Sequence, residues 1–182
     1  MFKKVNILDE KDKRLRQISK DATFPLSKEE KDLIQQMVDH LTYSQIEKYA
    51  KKYKLRPGMG LAFPQVGINK RIIVIVHEFE EGLFDNYVVI NPKIISHSEE
   101  VIAAEQGEGC LSVNRDVDGH VARYARVTIE GFDEDGNKIK VRAREELSIA
   151  FQHEIDHLNG ILFYDHINKK KPFIEDGSIR LI

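Results

Sequence analysis

The sequence predicts an α+β fold, with mixed or antiparallel strands packed around a C-terminal helix, together with a second helix near the N-terminus. Two segments with helical spacing flank a middle region in which apolar residues run together or alternate with polar ones. This arrangement along the chain is typical of α+β domains. The 182 residues contain no internal repeat and no long linker, so we expect one domain that spans residues 1–182.

The predicted N-terminal helix begins shortly after Pro25. Ser27 is a candidate N-cap, and Glu30 follows at capping-box spacing, in which each side chain accepts a hydrogen bond from the backbone of the other residue. Apolar residues then recur every three or four positions, which predicts one face on the core. They are Leu33, Ile34, Met37, Val38 and Leu41.

Four strands are predicted in the middle of the chain. The runs "RIIVIV" (71–76) and "YVVINPKII" (87–95) are rich in β-branched residues and predict two well-buried strands. Pro92 interrupts the second run, which indicates a strand end or an edge position. "RVTIEGF" (126–132) and "KIKVRA" (138–143) alternate apolar with polar residues on either side of the turn-rich "DEDGN", which predicts a hairpin.

A second helix is predicted to begin at about Glu145. It should end at Gly160, because glycine readily takes the left-handed conformation that ends many helices. At about 100° per residue, this segment divides into a core face and a polar face that should meet solvent or polar partners. The core face contains Leu147, Phe151, Ile155 and Leu158, and the polar face contains Ser148, Gln152 and Asp156.

The composition excludes several classes of protein. Lys and Arg total 28 against 30 for Asp and Glu, and both signs are scattered, which argues against nucleic-acid binding and membrane-surface binding. The N-terminal segment lacks the apolar core of a secretory signal, and no stretch approaches the roughly 18 apolar residues of a membrane helix. A single cysteine cannot form a disulfide within the chain, which suits a reducing compartment, so we expect a cytoplasmic protein. We also expect a monomer.

The stretch "QHEIDHLNG" (152–160) places two histidines one helical turn apart. On a helix, His153 and His157 project only about 40° apart, so both imidazoles can reach one ion. Glu154 lies on the same side but is rotated away from direct ligation, which suits a base that takes a proton from a metal-activated water. The alternative is an amphipathic helix whose two histidines are satisfied by other contacts.

A catalytic metal site usually has three protein ligands, so the two histidines require a partner. In peptidases with the HExxHxxGxxH pattern a third histidine follows, but this chain has Phe163 at that position. Glu175 offers a downstream carboxylate, although no helix pattern surrounds it. We favour Cys110 in "GEGCLSV", because the glycines let the backbone pass close to other groups and a bound cation holds a thiol as thiolate.

A glycine-rich stretch, "GMGLAFPQVG" (58–67), precedes the first predicted strand. It lacks the lysine of a phosphate-binding P-loop, and it could be only a turn before that strand. Gly58 and Gly60 would also let a peptide backbone approach, and Gln65 offers an amide donor.

Together, "GMGLAFPQ", "EGCLS" and "QHEIDHLNG" resemble, in this order, the three signature motifs of peptide deformylases. They are most similar to the class common in Gram-positive bacteria and their relatives, and the resemblance covers nearly the whole chain. It implies that a metal-bound hydroxide removes the formyl group from the N-terminal formylmethionine of new polypeptides, near the ribosome. The family typically uses one Fe²⁺ ion per chain, although Zn²⁺, Ni²⁺ or Co²⁺ can occupy the site.

The resemblance also implies roles for individual residues. The metal ligands would be Cys110, His153 and His157. Glu154 would be the general acid and base. Gln65 and the backbone N–H of Leu111 would stabilise the oxyanion, an electrostatic role often worth about 3 kcal/mol per donor. Gly60 would pair with the substrate backbone.

A side-chain pocket is expected beside the metal. Ile149 and Ala150 lie one turn before His153, so their side chains can flank the ion, and the resemblance adds Met59. One position departs from the family pattern, because Phe63 stands where "GLAAPQ" has alanine. An inward ring could narrow the site or shift Gln65, whereas an outward ring would change only packing.

Two other functions compete with deformylation. The HExxH pattern alone would also fit an endopeptidase, although Phe163 occupies the place of its third ligand. A non-catalytic binding module stabilised by metal is the other alternative. A fourth protein ligand that closes the site would support it, but the sequence has no second cysteine and its other histidines lack a recognisable ligand context.

Overall fold

The computed structural model describes residues 2–174 and 177–182. Its α-helices are α1 (Lys28–Gln45), α2 (Glu47–Tyr53) and α3 (Glu145–Leu158). Its strands are β1 (Gly60–Ala62), β2 (Ile72–Glu80), β3 (Leu83–His97), β4 (Val101–Ala103), β5 (Arg123–Tyr124), β6 (Arg126–Phe132), β7 (Lys138–Arg144) and β8 (Arg180–Leu181). Within the two described ranges, no helix combines the length and the apolar character needed to cross a membrane.

The strands form two sheets. The larger sheet has the order β1-β2-β3-β6-β7, and every neighbouring pair in it is antiparallel. The smaller sheet has the order β5-β4-β8, in which β4 pairs with β5 antiparallel and with β8 parallel. The predicted α+β class with mixed and antiparallel strands is therefore confirmed.

Strand β2 lies between two helices. Alternate side chains of a strand point to opposite faces, and here Ile72, Val74 and Val76 pack in the same cluster as residues of α1. Ile73 and Ile75 pack in a second cluster with residues of α3. Both faces of β2 are thus buried over Ile72–Val76, which explains why the sequence there is an unbroken apolar run.

Helix α1 begins as predicted. Ser27 Oγ accepts a hydrogen bond from the Glu30 N–H at 3.2 Å, and Glu30 Oε2 accepts one from the Ser27 N–H at 2.8 Å, which completes the capping box. The predicted apolar face packs on the sheet. Its fully buried residues are Ile34, Met37 and Leu41, and its partly buried residues are Leu33 and Val38.

The prediction for the segment around Pro92 was wrong in two respects. Strand β3 runs through Pro92 and lies at the centre of the sheet, because a register shift between Ile90 and Lys93 gives the proline a bulge in place of a ladder position. Asn91 takes a positive φ of 53° there. The buried residues of the strand are Val89, Ile90 and Pro92, whereas Ile95 is 47% exposed, so the strand as a whole is not well buried.

The hairpin and the last helix are as predicted. Strands β6 and β7 pair antiparallel, and the turn between them is closed by the Asp133 N–H, which donates to the Asn137 carbonyl at 2.9 Å. Helix α3 follows β7 without a loop and ends just before Gly160, whose φ is +72°. The polar face of α3 is anchored by Gln152, which accepts from the Tyr124 N–H at 3.0 Å and donates to the Tyr124 carbonyl at 2.9 Å.

Candidate metal centre

Helix α3 carries both histidines into the interior. Phe151 and Ile155 pack on the large sheet, and this contact turns the adjacent face of the helix towards the loop between β4 and β5. His153 and His157 lie on that face, are 8% and 1% exposed, and have ring centroids 5.0 Å apart. The helix therefore presents two imidazoles to one small volume.

The loop between β4 and β5 brings Cys110 to the same volume. Cys110 Sγ lies 3.3 Å from His157 Nε2. One ligand atom from each of Cys110, His153 and His157, here called the Cys–His–His group, lies within 4.8 Å of the others. The structure thus brings together the three residues predicted as ligands, in a group that could hold a metal ion.

The chemistry of this group fits a divalent transition metal. A thiolate with two imidazoles is a ligand set that suits zinc, iron and related ions, and three protein ligands leave a position open for water or substrate. Burial, with the nearby His153 as a second cause, holds the pKa of His157 well below its usual value, which keeps its imidazole neutral as a ligand must be. The residues present therefore fit the metal that the family motifs imply.

Glu108 orients one of the two histidine rings. Its carboxylate, 4% exposed, accepts from His153 Nδ1 at 2.8 Å and from Arg123 at 2.7 and 3.0 Å. Burial alone would raise the pKa of Glu108, but the hydrogen bonds from His153 and Arg123 lower it to about 2. Arg123 also donates to Asp156 at 2.6 Å, so one guanidinium ties the Cys110 loop to helix α3.

The pKa of His153 is held well above its usual value. Burial acts against the charged imidazole, but the hydrogen bonds to Cys110 and Glu108 outweigh it. With Nδ1 committed to Glu108, Nε2 is the nitrogen left for a metal. A metal ion bound through Nε2 would therefore displace a proton.

Glu154 is a buried carboxylate beside the Cys–His–His group. It is 3% exposed, and burial raises its pKa to about 7. Its Oε2 is buried without a hydrogen-bond partner among the described residues, which is an arrangement typical of functional sites. Gly60 lies against it so closely that any Cβ at position 60 would collide with the carboxylate.

Gln65 sits on a 3₁₀ turn that follows β1, Phe63–Val66. Its Oε1 accepts from the Ala62 N–H at 2.8 Å, which fixes the amide, and its Nε2 donates to Ser112 Oγ at 3.1 Å and points to Cys110 Sγ at 3.6 Å. Phe63 is fully buried in the cluster that includes residues of α1 and does not line the site. Phenylalanine at this position thus changes core packing and leaves Gln65 in reach of the site.

A cavity of about 440 Å³ opens over the Cys–His–His group. Except for His157, every residue that the sequence assigned to the site lines this cavity. They are Met59, Gly60, Gln65, Cys110, Leu111, Ile149, Ala150, His153 and Glu154. The walls combine apolar side chains with a few polar groups, as small-molecule and peptide pockets usually do.

Sequence reasoning missed several residues of the site. Arg123 had no signal, because it reaches the site only through the fold. Glu108 and Ser112 each lie two residues from Cys110 within "EGCLS" and could have been suspected. Phe163, in the position of a peptidase ligand, stacks on the His153 ring with centroids 6.0 Å apart. Glu175, the alternative ligand, lies outside the described residues.

Comparison with known proteins agrees with this geometry. The family model described as "Polypeptide deformylase" matches residues 4–173. "Peptide deformylase 2" of Bacillus anthracis is 44% identical over 174 residues, with 95% of each chain covered. "Peptide deformylase" of Listeria welshimeri is 52% identical over 159 residues, with 87% of this chain and 86% of that protein covered.

Solved structures show the same relationship. The crystal structure of a plant peptide deformylase superposes with a TM-score of 0.75 at 30% identity, and the match covers 91% of this chain and 82% of that chain. The family model spans the segments of all three motifs, and these two relatives cover 95% and 87% of the chain. The chain therefore belongs to the polypeptide deformylase family of enzymes.

Proposed function

We propose that this enzyme removes the N-formyl group from the N-terminal formylmethionine of newly made proteins and releases formate. The observation that carries this proposal is the position of Glu154 next to the Cys–His–His group, in a partly apolar cavity. Glu154 is a buried carboxylate, and burial raises its pKa to about 7. This arrangement combines a metal ligand set, a proton carrier and a place for a side chain.

Cys110, His153 and His157 would hold one divalent ion, with Fe²⁺ as our first choice and Zn²⁺, Ni²⁺ or Co²⁺ as alternatives. When bound, such an ion supplies Lewis acidity, which lowers the pKa of water in the pocket. Glu108 and Arg123 keep the His153 ring in the orientation that ligation requires.

Glu154 would carry the proton. As the oxygen of water forms its bond to the formyl carbon, the carboxylate of Glu154 accepts the proton that water loses. It then delivers this proton to the amide nitrogen as the C–N bond breaks. The products are a free amino terminus and formic acid, which loses its remaining proton to solvent and leaves as formate. A pKa near neutrality suits both halves of this task.

Two donors would stabilise the negative charge that develops on the formyl oxygen. Gln65 Nε2 is held in place by the Ala62 backbone through Oε1, and the Leu111 N–H belongs to the residue after Cys110. Such preorganised donors act on the transition state more strongly than on the ground state. Gly60, at the start of β1, would pair with the substrate backbone.

The methionine side chain would occupy the apolar part of the cavity. Met59, Ile149 and Ala150 line it, and a flexible, unbranched side chain fits such walls without polar partners. The partners would be N-formylmethionyl nascent polypeptides near the ribosome in the cytoplasm, with residues 1–182 acting as one monomeric catalytic unit.

The proposal is tested by measuring formate release from a formyl-Met peptide with anaerobically purified, iron-loaded protein. We expect turnover by the wild type and a loss of about 10²- to 10⁴-fold for Glu154→Gln, with metal content unchanged by elemental analysis. Glu146→Gln removes another carboxylate at the cavity and should change turnover little. A metal-loaded wild type that releases no formate, or that cleaves internal bonds of an unformylated peptide, would contradict the proposal.

A further inference from the structure

Arg56 links the glycine-rich segment to the Cys110 loop. It lies between α2 and β1, where its guanidinium crosses to the loop between β4 and β5. Nη2 donates to the Cys110 carbonyl at 2.6 Å and to the Val113 carbonyl at 3.1 Å, while Nη1 donates to Asn114 Oδ1. One exposed side chain therefore holds three acceptors of a loop that has no regular secondary structure around Cys110.

The Cys110 carbonyl and the Leu111 N–H belong to the same peptide unit. A peptide unit is planar and nearly always trans, so its C=O and N–H point in opposite directions and turn together. The Val113 N–H also donates to the Cys110 carbonyl, at 3.0 Å. A carbonyl held by two donors on one side fixes the direction in which the Leu111 N–H points on the other.

We propose that Arg56 is a positioning residue, which acts through the Cys110–Leu111 peptide to aim the Leu111 N–H at the formyl oxygen. This inference rests on the proposed function, because it assumes that the Leu111 N–H is an oxyanion donor. The planar guanidinium suits the task, since its fixed fork of donors can reach both carbonyls and the amide at once. A lysine could reach one of them.

A second contact supports the same peptide from the glycine-rich segment. A Cβ built on Gly58 would lie 2.7 Å from Leu111 Cδ1, so the backbone at position 58 passes directly against the Leu111 side chain. The Leu111 residue is thus confined on one side by Gly58 and anchored through its preceding carbonyl by Arg56. Both restraints come from the segment that also lines the substrate cavity.

The test compares Arg56→Met and Arg56→Lys with Lys54→Met, which removes the same charge two residues away. We expect Arg56→Met to lower kcat by about 10- to 100-fold, as for a misaimed oxyanion donor. KM for the formyl-Met peptide should stay within about threefold and the metal content should not change. Arg56→Lys should recover part of kcat, and Lys54→Met should resemble the wild type.

An NMR measurement that does not depend on turnover distinguishes a local change at Leu111 from a general disturbance of the fold. In zinc-loaded protein labelled with ¹⁵N-leucine, the Leu111 amide resonance should shift or broaden in Arg56→Met, while leucines of the core such as Leu41 and Leu158 keep their positions. The proposal is overturned if kcat stays within twofold of the wild type, if Lys54→Met loses as much, or if the loss follows the metal content. Failure of the proposed function would show separately, as a metal-loaded wild type without formate release.

Discussion

Glu108 accepts a hydrogen bond from His153 Nδ1 at 2.8 Å, and the same carboxylate forms an ion pair with Arg123 at 2.7 Å. A histidine that donates one ring nitrogen to a carboxylate presents the other nitrogen to a metal in a fixed direction and with greater basicity. The orientation of the His153 ring is therefore set by a residue outside the Cys–His–His group. Several consequences of the structure can be measured.

Replacing Glu108 by Gln should weaken metal binding. The amide can still accept from His153, but it lacks the charge and the second oxygen that Arg123 needs. We expect metal affinity to fall by about 10- to 100-fold, as for other partners of histidine ligands, in a competition titration with a chelator. Glu105→Gln removes a nearby exposed charge and should leave affinity within about twofold; equal affinities for both variants would contradict this role.

Replacing Gly60 by Ala should displace the carboxylate of Glu154. The new Cβ would collide with Oε1, and a shift of about 1 Å in a reacting group can cost about 100-fold in rate. We expect a loss of this size in formate release with metal still bound. Gly109→Ala is the matched control beside Cys110, because nothing lies within 4 Å of its added Cβ; its activity should stay near that of the wild type.

Replacing Phe63 by Ala should damage the core and spare the site. Phe63 is fully buried against residues of α1 and β2, so the cavity left behind should lower the free energy of unfolding by about 3–5 kcal/mol in urea titration. KM should not change at a temperature where the variant is folded. Phe79→Ala, at a site 53% exposed, should cost less than about 0.5 kcal/mol.

His40 should make the fold sensitive to mild acid. Burial, reinforced by the charge of Lys4, lowers its pKa from 6.5 to about 4, and Nδ1 accepts from the Val5 N–H at 3.1 Å. Between these pH values the unfolded chain binds a proton at His40 that the folded chain does not. The contribution of His40 to the free energy of unfolding is therefore fully present above pH 6.5 and is lost as the pH falls towards 4. The contribution lost between pH 7 and pH 5 is about 2 kcal/mol.

The variant His40→Asn isolates this contribution. Its Oδ1 can accept from the Val5 N–H in place of Nδ1, but it does not titrate. Urea titrations of both proteins at pH 7 and pH 5 should show that the wild type loses about 2 kcal/mol more than the variant. Parallel losses in the two proteins would exclude His40 as the cause.

The sequence predicted correctly those features that depend on the spacing of residues close together along the chain. The capping box at Ser27, the hairpin around "DEDGN" and the helical spacing of His153 and His157 depend on neighbours along the chain, and the structure has all three. Helix α2 was not predicted, because its residues lack an apolar stripe. It packs instead through rings, as Tyr53 stacks on Tyr43 with centroids 5.9 Å apart.

Long-range partners could not be predicted in the same way. Arg123 lies on a two-residue strand, and only the fold shows that it bridges Glu108 and Asp156. Pro92 was misplaced for a related reason, since the bulge that accommodates it depends on pairing with β6. Phe63 could not be assigned to core or site from its own segment, because the 3₁₀ turn decides which way each side chain points.

Cys110 and His157 are 47 residues apart along the chain, so their meeting point exists only once the sheet, the loop and α3 have come together. A metal that binds the Cys–His–His group consequently binds the folded chain in preference to the unfolded one, and by mass action it adds RT ln(1 + [M]/Kd) to the free energy of unfolding. Metal supply and storage stability should thereby be linked. A chelator in the storage buffer should lower the free energy of unfolding and, under the proposed function, should also abolish formate release.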